Sequence, residues 1–476
     1  MKHLKFLSIL LIFTVWFNAS AYTATSIRLK KRPLPSSVQF WLTSPGSGTL
    51  FQKQSVNPTF GEEDKTEPIL TIDAGQSFQT MDGFGNCLTD GSAMLLNRMS
   101  AEARKALLNE LFGTMGNGIG ISYLRISLGA SDLSEQPYSY DDVADGQTDF
   151  QLDRFSIAQA KIDLIPVLKE ILKINPSIKI MASPWSPPTW MKSNNNFKGG
   201  SLKPECFGVY ADYFVRYIHE MKREGISIDA ITIQNEPLHP GNVPSMLMVA
   251  EDQALFVRQN LGPAFKAAGL KTRIIVYDHN ADKISYPLTI LRDPEAAKYV
   301  DGSAFHLYGG RIEALSDVHA EFPQKNLYFT EQWVGAPGNL AADLAWHTKV
   351  LIIGATRNWC RNVLEWNLAS DPSNNPHTAG GCTSCLGTIT LEGDQVTRNP
   401  AYYVLAHAAK FVRPGSVRIA SNYLDALPNV AFRTEEGKIV MVVINDSQEI
   451  GKFNISYKGK AFQAELGKGA VGTFVW

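Results

Sequence analysis

The chain has 476 residues and a formal net charge of −1, with 45 Lys and Arg against 46 Asp and Glu. Its length suits one barrel-sized domain and a smaller second domain. The balanced charge provides no electrostatic basis for binding nucleic acid or an anionic surface, so we expect no nucleic-acid partner.

The N-terminus is typical of a cleavable secretory signal, which we place at residues 1–21. Lys2 and Lys5 precede an apolar run over residues 6–17, and the small residues Ala-Ser-Ala follow at 19–21. This run is short for a membrane span, and no Cys follows it as a lipid anchor would require. We therefore expect an exported protein, periplasmic or extracellular, without a membrane span.

The five cysteines are scattered and odd in number, so they imply no disulfide framework. Cys382 and Cys385 could form a disulfide in an oxidising compartment, or could bind zinc together with His377. The zinc site is disfavoured because no second close pair of ligands accompanies them. We expect no metal site and no cofactor.

Both chain ends are rich in strand-forming residues separated by turns. The N-terminal part contains VQFWLT and ILTID, and the C-terminal part contains KIVMVVIND, KFNISYKG and VGTFVW. Such runs with Gly and Asn turns predict antiparallel strands. We expect a β-sandwich side domain built from residues 22–78 and 413–476.

The central part, residues 79–412, alternates between strand-like runs and amphipathic stretches such as 209–223. This pattern predicts an α/β fold, a (β/α)₈ TIM barrel. A doubly wound open sheet is the alternative, disfavoured because no Gly-rich dinucleotide or phosphate loop follows any strand. The eight predicted strands are the one ending at Phe84 and those at 121–128, 178–182, 230–234, 272–277, 303–308, 326–330 and 362–367.

Polar and aromatic residues stand at the ends of nearly all these strands. In a barrel those ends converge on one rim, where active sites are found. Acids, an Arg, aromatics and amides together describe a carbohydrate site better than a phosphate or apolar-ligand site. The rim residues are Asp90, Arg125, Ser127, Trp185, Asn235, Glu236, Asp278, His279, His306, Tyr308, Glu331, Trp333, Glu365, Trp366 and Asn367.

Glu236 and Glu331 end the fourth and seventh strands, on opposite sides of an eight-strand ring. Glycosidic cleavage uses such a pair, one carboxylic acid to protonate the leaving oxygen and one carboxylate at the anomeric carbon. A separation of about 5–5.5 Å indicates retention of configuration, and roughly 6.5–9.5 Å indicates inversion. The alternative is that Glu236 only caps the following helix.

Other rim residues also have structural alternatives. Arg125 could form an internal salt bridge with Asp90 or a glutamate, which is compatible with a role beside the nucleophile. His306 could be a core histidine with satisfied hydrogen bonds. Trp185 lies in the proline-rich segment SPWSPP and could serve packing alone.

Six segments, in this order and spacing, resemble glycoside hydrolase family 30: MDGFGNCLTD, ASPWSPPTWMK, ITIQNEP, AFHLYGG, LYFTEQW and LEWNLASDP. That family contains lysosomal glucosylceramidases and bacterial and fungal β-1,6-glucanases. The likeness extends from about residue 78 to 476. It implies a (β/α)₈ barrel with a β-sandwich formed from both chain ends, and a retaining double displacement.

The resemblance also implies roles for individual residues. Glu236 corresponds to the acid/base and Glu331 to the nucleophile, while Asn235 corresponds to a residue that contacts the sugar 2-hydroxyl. We expect ionised Glu331 to keep Glu236 protonated, and Arg125 to favour the charged form of Glu331. The other implied substrate-binding residues are Asp90, Trp185 and Trp366 in the glucose pocket, and Arg125, His306 and Tyr308 around the nucleophile.

Two departures bear on the substrate. Glu365 stands where the glucosylceramidases have an Asp, and the loop over residues 371–386 is more similar to that of bacterial β-1,6-glucanases. We therefore favour a secreted retaining hydrolase of β-1,6-glucan. The alternatives are a glucosylceramidase-like exo-β-glucosidase, a carbohydrate-binding barrel without activity, and a metal-dependent hydrolase, the last disfavoured because the histidines lack paired ligand spacing.

Overall fold

The computed structural model of the protein describes residues 37–64 and 66–476. The predicted signal at residues 1–21 lies outside the described residues. Within the described part of the chain, no helix is long and apolar enough to cross a membrane.

The described chain contains a closed barrel, a large sheet that is antiparallel except for the parallel pair of Ile69–Thr80 and Gly451–Tyr457, and two small sheets. Its strands are β1 (Gln39–Ser44), β2 (Thr49–Lys53), β3 (Ile69–Thr80), β4 (Gly83–Leu88), β5 (Tyr123–Ser127), β6 (Lys179–Ser183), β7 (Ala230–Thr232), β8 (Arg273–Asn280), β9 (Val300–His306), β10 (Asn326–Glu331), β11 (Val334–Gly335), β12 (Cys360–Asn367), β13 (Ala369–Ser370), β14 (Cys385–Leu386), β15 (Ile389–Glu392), β16 (Gln395–Arg398), β17 (Val417–Ser421), β18 (Asn429–Arg433), β19 (Ile439–Ile444), β20 (Gly451–Tyr457), β21 (Lys460–Leu466) and β22 (Val471–Val475). Its α-helices are α1 (Asp90–Arg98), α2 (Ala101–Phe112), α3 (Leu164–Ile174), α4 (Phe207–Arg223), α5 (Ala250–Phe256), α6 (Gly262–Ala267), α7 (Ser285–Arg292), α8 (Pro294–Ala297), α9 (Ala314–Glu321), α10 (Leu340–Trp346) and α11 (Pro400–Ala409).

The barrel closes from eight parallel strands in the order β10-β12-β4-β5-β6-β7-β8-β9. This confirms the predicted fold class. Alternate strand residues face inward, as the two-residue period of a strand requires. They form a fully buried layer of Tyr123, Met181, Ala230, Ile275, Ala304, Tyr328 and Leu364. The barrel is therefore a filled core, and only the rim is available for a ligand.

The first barrel strand differs from the prediction. β4 begins at Gly83 and continues to Leu88, instead of ending at Phe84. The sequence GFGN has turn-like composition, but a side chain at position 85 would place its Cβ only 1.9 Å from the carbonyl oxygen of Tyr123. Glycine there permits close pairing with β5, which composition alone does not reveal.

The helices follow the predicted periodicity. The Ser100 side chain accepts a hydrogen bond from the Ala103 amide at the start of α2, as a cap does. α4 covers the stretch predicted as amphipathic, with its apolar face buried. A π-helical segment, Val257–Leu261, joins α5 to α6, so these form one continuous helical stretch.

A nine-stranded sheet combines both ends of the described chain, in the order β2-β1-β22-β19-β18-β17-β3-β20-β21. α11 links this sheet to the barrel. His407, on α11, places Nδ1 at 2.8 Å from Thr473 Oγ1 and Nε2 at 2.8 Å from Thr43 Oγ1. The buried imidazole thus connects β1 and β22 to the last barrel helix.

Charged residues also occupy the N-terminal face of the barrel. Asp82, just before β4, pairs with Arg273 and Arg361, each at 3.0 Å. Burial raises the pKa of Asp82, but the hydrogen bonds and charges of Arg361 and Arg273 outweigh it and hold the pKa below its usual value. This face of a barrel serves stability, because active sites form at the opposite rim.

Candidate active site

Arg125 lies at the centre of the rim and is fully buried. Its Nη1 donates to Glu331 Oε2 at 2.7 Å, and its Nη2 donates to Asp278 Oδ2 at 2.7 Å and to Asn235 Oδ1 at 2.6 Å. Its Nε donates to Ser183 Oγ at 3.1 Å. One guanidinium therefore holds residues from four barrel strands or the loops after them, which is the fork geometry that Arg supplies and Lys lacks.

Strand irregularities bring consecutive residues into the site. The pairing of β8 with β9 shifts between Tyr277 and His279, and Tyr277 and Asp278 have φ of 75° and 71°. A regular strand would send Asp278 and His279 to opposite faces, but the bulge directs both towards the site. A second shift in β10 does the same for Thr330 and Glu331, and Thr330 Oγ1 donates to Asp278 Oδ1 at 2.7 Å.

His306 connects the two glutamates. Its Nδ1 lies 3.0 Å from Glu236 Oε1 and 3.7 Å from Glu331 Oε1, while its Nε2 lies 3.1 Å from Asp278 Oδ1. Both Oε1 atoms are neighbours of His306 Nδ1. The distance between these two oxygens therefore cannot exceed the sum of their distances to that nitrogen, about 6.7 Å. Both carboxylates therefore reach the same imidazole nitrogen, which is the close placement expected of a retaining pair.

Glu236 is held in an unusual backbone conformation. Its φ is 46°, in the left-handed region, and its amide donates to the carbonyl of Asp278 at 3.0 Å. A non-glycine residue in this region costs about 1–3 kcal/mol and persists where the surroundings enforce it. The conformation directs the Glu236 side chain towards His306 and Glu331.

The positive charge between the carboxylates rests on His306 as well as on Arg125. Burial lowers the pKa of His306, but the charge of Glu331 and the hydrogen bonds to Asp278 and Glu236 raise it to about 9. Burial raises the pKa of Glu236, yet the neighbouring imidazoles of His279 and His306 outweigh it and lower the pKa. Both directions favour a protonated His306 one hydrogen bond from Glu236.

The pKa of Glu331 is raised. Burial and the charges of Glu236 and Asp278 outweigh the opposing charges of His306 and Arg125. These directions, lowered for Glu236 and raised for Glu331, run opposite to the expectation that an ionised Glu331 keeps Glu236 protonated. The physical reason is that both histidines approach Glu236, which the sequence did not reveal.

Aromatic rings form the wall beside Arg125. Trp185 and Trp366 are 1% and 3% exposed, and their ring centroids lie 5.4 Å apart. The Arg125 guanidinium carbon is 4.7 Å from the Trp185 ring centre. Tyr308 is 40% exposed, and its hydroxyl donates to Glu331 Oε1 at 3.0 Å. The tryptophans therefore form the buried part of this aromatic wall, and Tyr308 lies at its solvent-exposed edge.

Models of two domain families match the chain. The glycosyl hydrolase family 30 TIM-barrel domain matches residues 81–412, and the glycosyl hydrolase family 30 beta sandwich domain matches residues 415–474. The chain belongs to glycosyl hydrolase family 30. The resemblance inferred from the six segments is thereby confirmed, and the chain is a glycoside hydrolase.

Relatives and solved structures agree with family 30. The chain is 37% identical over 401 residues to an endo-1,6-β-D-glucanase of Neurospora crassa, covering 79% of this chain and 81% of that one. It is 30% identical over 437 residues to the lysosomal acid glucosylceramidase of Mus musculus, covering 86% and 83%. The structure of the endo-β1,6-glucanase BT3312 superimposes with a TM-score of 0.85 at 34% identity, covering 92% of this chain and 99% of that one.

Asp132 is a residue of this family 30 rim that was not predicted. It is 4% exposed, and its Oδ1 has no hydrogen-bond partner within the described chain. Burial and then the charge of Glu331 raise its pKa to about 7. Asp132 lies only five residues beyond β5, so a search extended further past the strand ends would have found it.

Two predicted rim residues, Asp90 and Glu365, form hydrogen bonds outside the network of Arg125. Asp90 starts α1, where its Oδ1 accepts a hydrogen bond from Ser134 Oγ at 2.5 Å, and it lines a cleft with Met94. Glu365 is buried with His347, whose Nδ1 lies 2.9 Å from its Oε1. Glu365 alternates with the inward-facing Leu364, which explains why it faces the surrounding helices.

The cysteine pair forms a disulfide. Cys382 and Cys385 are bonded to each other, so the zinc site considered for them with His377 is wrong. Cys385 is buried against Trp185 and Trp366, and β14, which it begins, pairs with β11. The disulfide thus holds Cys385 against the two tryptophans of the family 30 site.

Proposed function

We propose that this chain is an exported endo-β-1,6-glucanase that hydrolyses its substrate with retention of configuration, with Glu331 as nucleophile and Glu236 as acid/base. The observation that carries the mechanism is the placement of both carboxylates around His306 Nδ1, at 3.0 and 3.7 Å. The β-1,6 linkage and endo action are supported by relatives of that activity at 34–37% identity.

In the first step, Glu331 attacks the anomeric carbon as the glycosidic bond breaks. Arg125 holds Glu331 Oε2 and Tyr308 holds Oε1, which fixes the direction of the carboxylate. Glu236 receives a proton from His306 across their 3.0 Å contact and donates it to the leaving oxygen, so Glu236 is left ionised. A covalent glucosyl ester on Glu331 and a shortened glucan are the products of this step.

In the second step, Glu236 acts as a base. It takes a proton from a water molecule, whose oxygen attacks the anomeric carbon and displaces Glu331. Two inversions give net retention. Asn235, whose Oδ1 is occupied by Arg125, has its amide nitrogen left to donate to the sugar.

Binding of the reacting glucose is proposed to involve the aromatic wall and Asp132. Trp185 and Trp366, both almost fully buried, form the apolar backing of the pocket, and Tyr308 borders the entrance. The unpaired Oδ1 of Asp132 is suited to accept a sugar hydroxyl, since a buried carboxylate oxygen without a partner is costly. For Asp90, a sugar contact remains a prediction that its hydrogen bond to Ser134 does not support.

Product analysis tests the substrate and mode of cleavage. The enzyme is incubated with β-1,6-linked glucan and, in parallel, with glucosylceramide. Oligosaccharides of mixed length from the glucan are expected; glucose alone from either substrate would favour the exo-acting alternative. The anomer formed first, followed by proton NMR, is expected to be β, and an α anomer would overturn the retaining mechanism.

Two variants test the division of roles. Glu331→Ala is expected to lose turnover on every substrate, and wild-type product release would contradict its role as nucleophile. Glu236→Ala is expected to keep activity on substrates with good leaving groups, and added azide should yield the β-glycosyl azide. If Glu236→Ala neither keeps activity on substrates with good leaving groups nor forms the azide product, the acid/base role is contradicted.

A further inference from the structure

Glu236, His279 and His306 form a compact group of potential metal ligands, here called the Glu-His-His cluster. One ligand atom from each lies within 4.8 Å of those of the other two. The buried Nδ1 of His279 has no hydrogen-bond partner within the described residues and lies 3.4 Å from Glu236 Oε1. His279 is 7% exposed. In the proposed glycosidase steps this nitrogen neither touches the sugar nor transfers a proton.

The two distances from Glu236 to the histidines are those of neighbouring ligands in a tetrahedral site. With zinc–ligand bonds of about 2.0–2.1 Å, neighbouring ligand atoms of a tetrahedron lie roughly 3.3 Å apart. Glu236 Oε1 is 3.4 Å from His279 Nδ1 and 3.0 Å from His306 Nδ1. Two nitrogens and one carboxylate oxygen are a ligand set that zinc accepts, with the fourth position left to water.

The surroundings supply the outer contacts of a metal site. His306 Nε2 lies 3.1 Å from Asp278 Oδ1, which also accepts from Thr330 Oγ1 at 2.7 Å. A carboxylate behind a ligating histidine fixes the ring orientation and increases its basicity. Carboxylate oxygens of Glu236, Glu331 and Asp278 lie 3.0, 3.7 and 3.1 Å from the His306 ring nitrogens, so their negative charge favours a cation at this place.

Solvent reaches the cluster from the rim. The side chains of Glu236 and His279 are 13% and 9% exposed, whereas His306 is fully buried behind them. An ion therefore meets Glu236 and His279 first.

We propose that the Glu-His-His cluster binds a divalent transition-metal ion such as Zn²⁺, and that the bound ion inhibits hydrolysis by occupying Glu236 Oε1. The metal is an inhibitor and has no part in the reaction. Inhibition rests on the proposed acid/base role of Glu236, whereas binding of the ion does not.

Direct binding is measured with the full protein after dialysis against a chelator and then into chelator-free buffer. Titration calorimetry with ZnCl₂ is expected to show one site for the wild type and no comparable site for MgCl₂, which prefers oxygen ligands. His279→Gln and Glu236→Gln are each expected to weaken binding at least about tenfold, the lower limit for loss of even an outer contact. His219→Gln, an exposed position on α4, is the matched control and should bind as the wild type does.

Thermal melts of each variant establish that it is folded. The proposed site would be overturned if His279→Gln bound zinc as tightly as the wild type does. It would also be overturned if His219→Gln lost as much zinc affinity as His279→Gln does. Zinc binding by a protein inactive on every glucan would refute the proposed function and leave the metal site standing.

Activity distinguishes inhibition from catalysis. ZnCl₂ is expected to lower hydrolysis by the wild type, and excess chelator to restore it fully. Loss of activity in chelator alone would show a catalytic metal and overturn the inhibitory assignment. In His279→Gln, the zinc concentration for half inhibition, relative to that variant's own activity, should rise at least about tenfold.

Discussion

Replacing Arg125 by Met removes the cation that holds the rim together. Arg125 is fully buried and pairs with Asp278 and Glu331 at 2.7 Å each, both almost fully buried. Removing one partner of a buried ion pair costs about 3–5 kcal/mol, because the remaining charge is left without compensation. Here two carboxylates lose their partner, so we expect a loss of at least about 3 kcal/mol in the free energy of unfolding.

Chemical denaturation followed by tryptophan fluorescence measures this loss. The matched control is Arg292→Met, which breaks an exposed pair with Glu321, 58% and 38% exposed. An exposed pair contributes at most about 1 kcal/mol, so the control should unfold almost as the wild type does.

The same substitution should change the pH profile of hydrolysis. The charge of Arg125 lowers the pKa of Glu331, so its removal raises that pKa, and the nucleophile becomes ionised only at higher pH. The acid limb of the kcat/KM profile should therefore move to higher pH. An unmoved limb together with wild-type stability would refute the assignment of Arg125 as the central cation.

Three further substitutions test other parts of the molecule. Tyr308→Phe removes a hydrogen bond to charged Glu331, about 1.5–3 kcal/mol, and should lower kcat/KM roughly 10- to 150-fold with little change in melting temperature. Asp132→Asn should raise KM for glucan if the carboxylate accepts a sugar hydroxyl, and unchanged kinetics would exclude that contact. Asp82→Asn should lower stability by about 3 kcal/mol while kcat stays at the wild-type value. Because the folded-state pKa of Asp82 is lowered, its contribution is present above the usual aspartate pKa and is lost as pH falls through the folded value, which acid denaturation of both proteins would show.

The barrel and the glutamate pair could be predicted because each depends on a local pattern. Buried parallel strands are continuous apolar runs, and eight of them between amphipathic stretches allow few architectures. Glu236 and Glu331 follow two such runs directly. Their position on one rim follows from topology alone.

The charge distribution within the site could not be predicted, because it depends on backbone irregularities. The bulge at Tyr277 places Asp278 and His279 on the same side, and a strict two-residue period would separate them. The contact of His279 with Glu236 depends on this bulge, so a regular strand period does not predict that contact or the lowered pKa of Glu236. A one-residue shift in strand pairing does not change the amino-acid composition of the strand, so composition cannot reveal it.

Asp132 and Asp90 show a related limit. Both follow barrel strands, β5 and β4, in segments with turn-like composition. The extended β4 leads directly into α1, where Asp90 bonds to Ser134, while Asp132 lies in the loop nearer the glutamates. Distance along the chain from a strand end is therefore a poor measure of distance from the catalytic pair.

The arrangement of β1, β19 and β22 affects the order in which the molecule can assemble. β22 pairs with β1 on one edge and β19 on the other, yet every barrel residue precedes it in the chain. During synthesis, β1 can pair with β2 but lacks its other neighbour, β22, until the whole barrel has been made. The unpaired edge of β1 is exposed throughout that time and can pair with another chain.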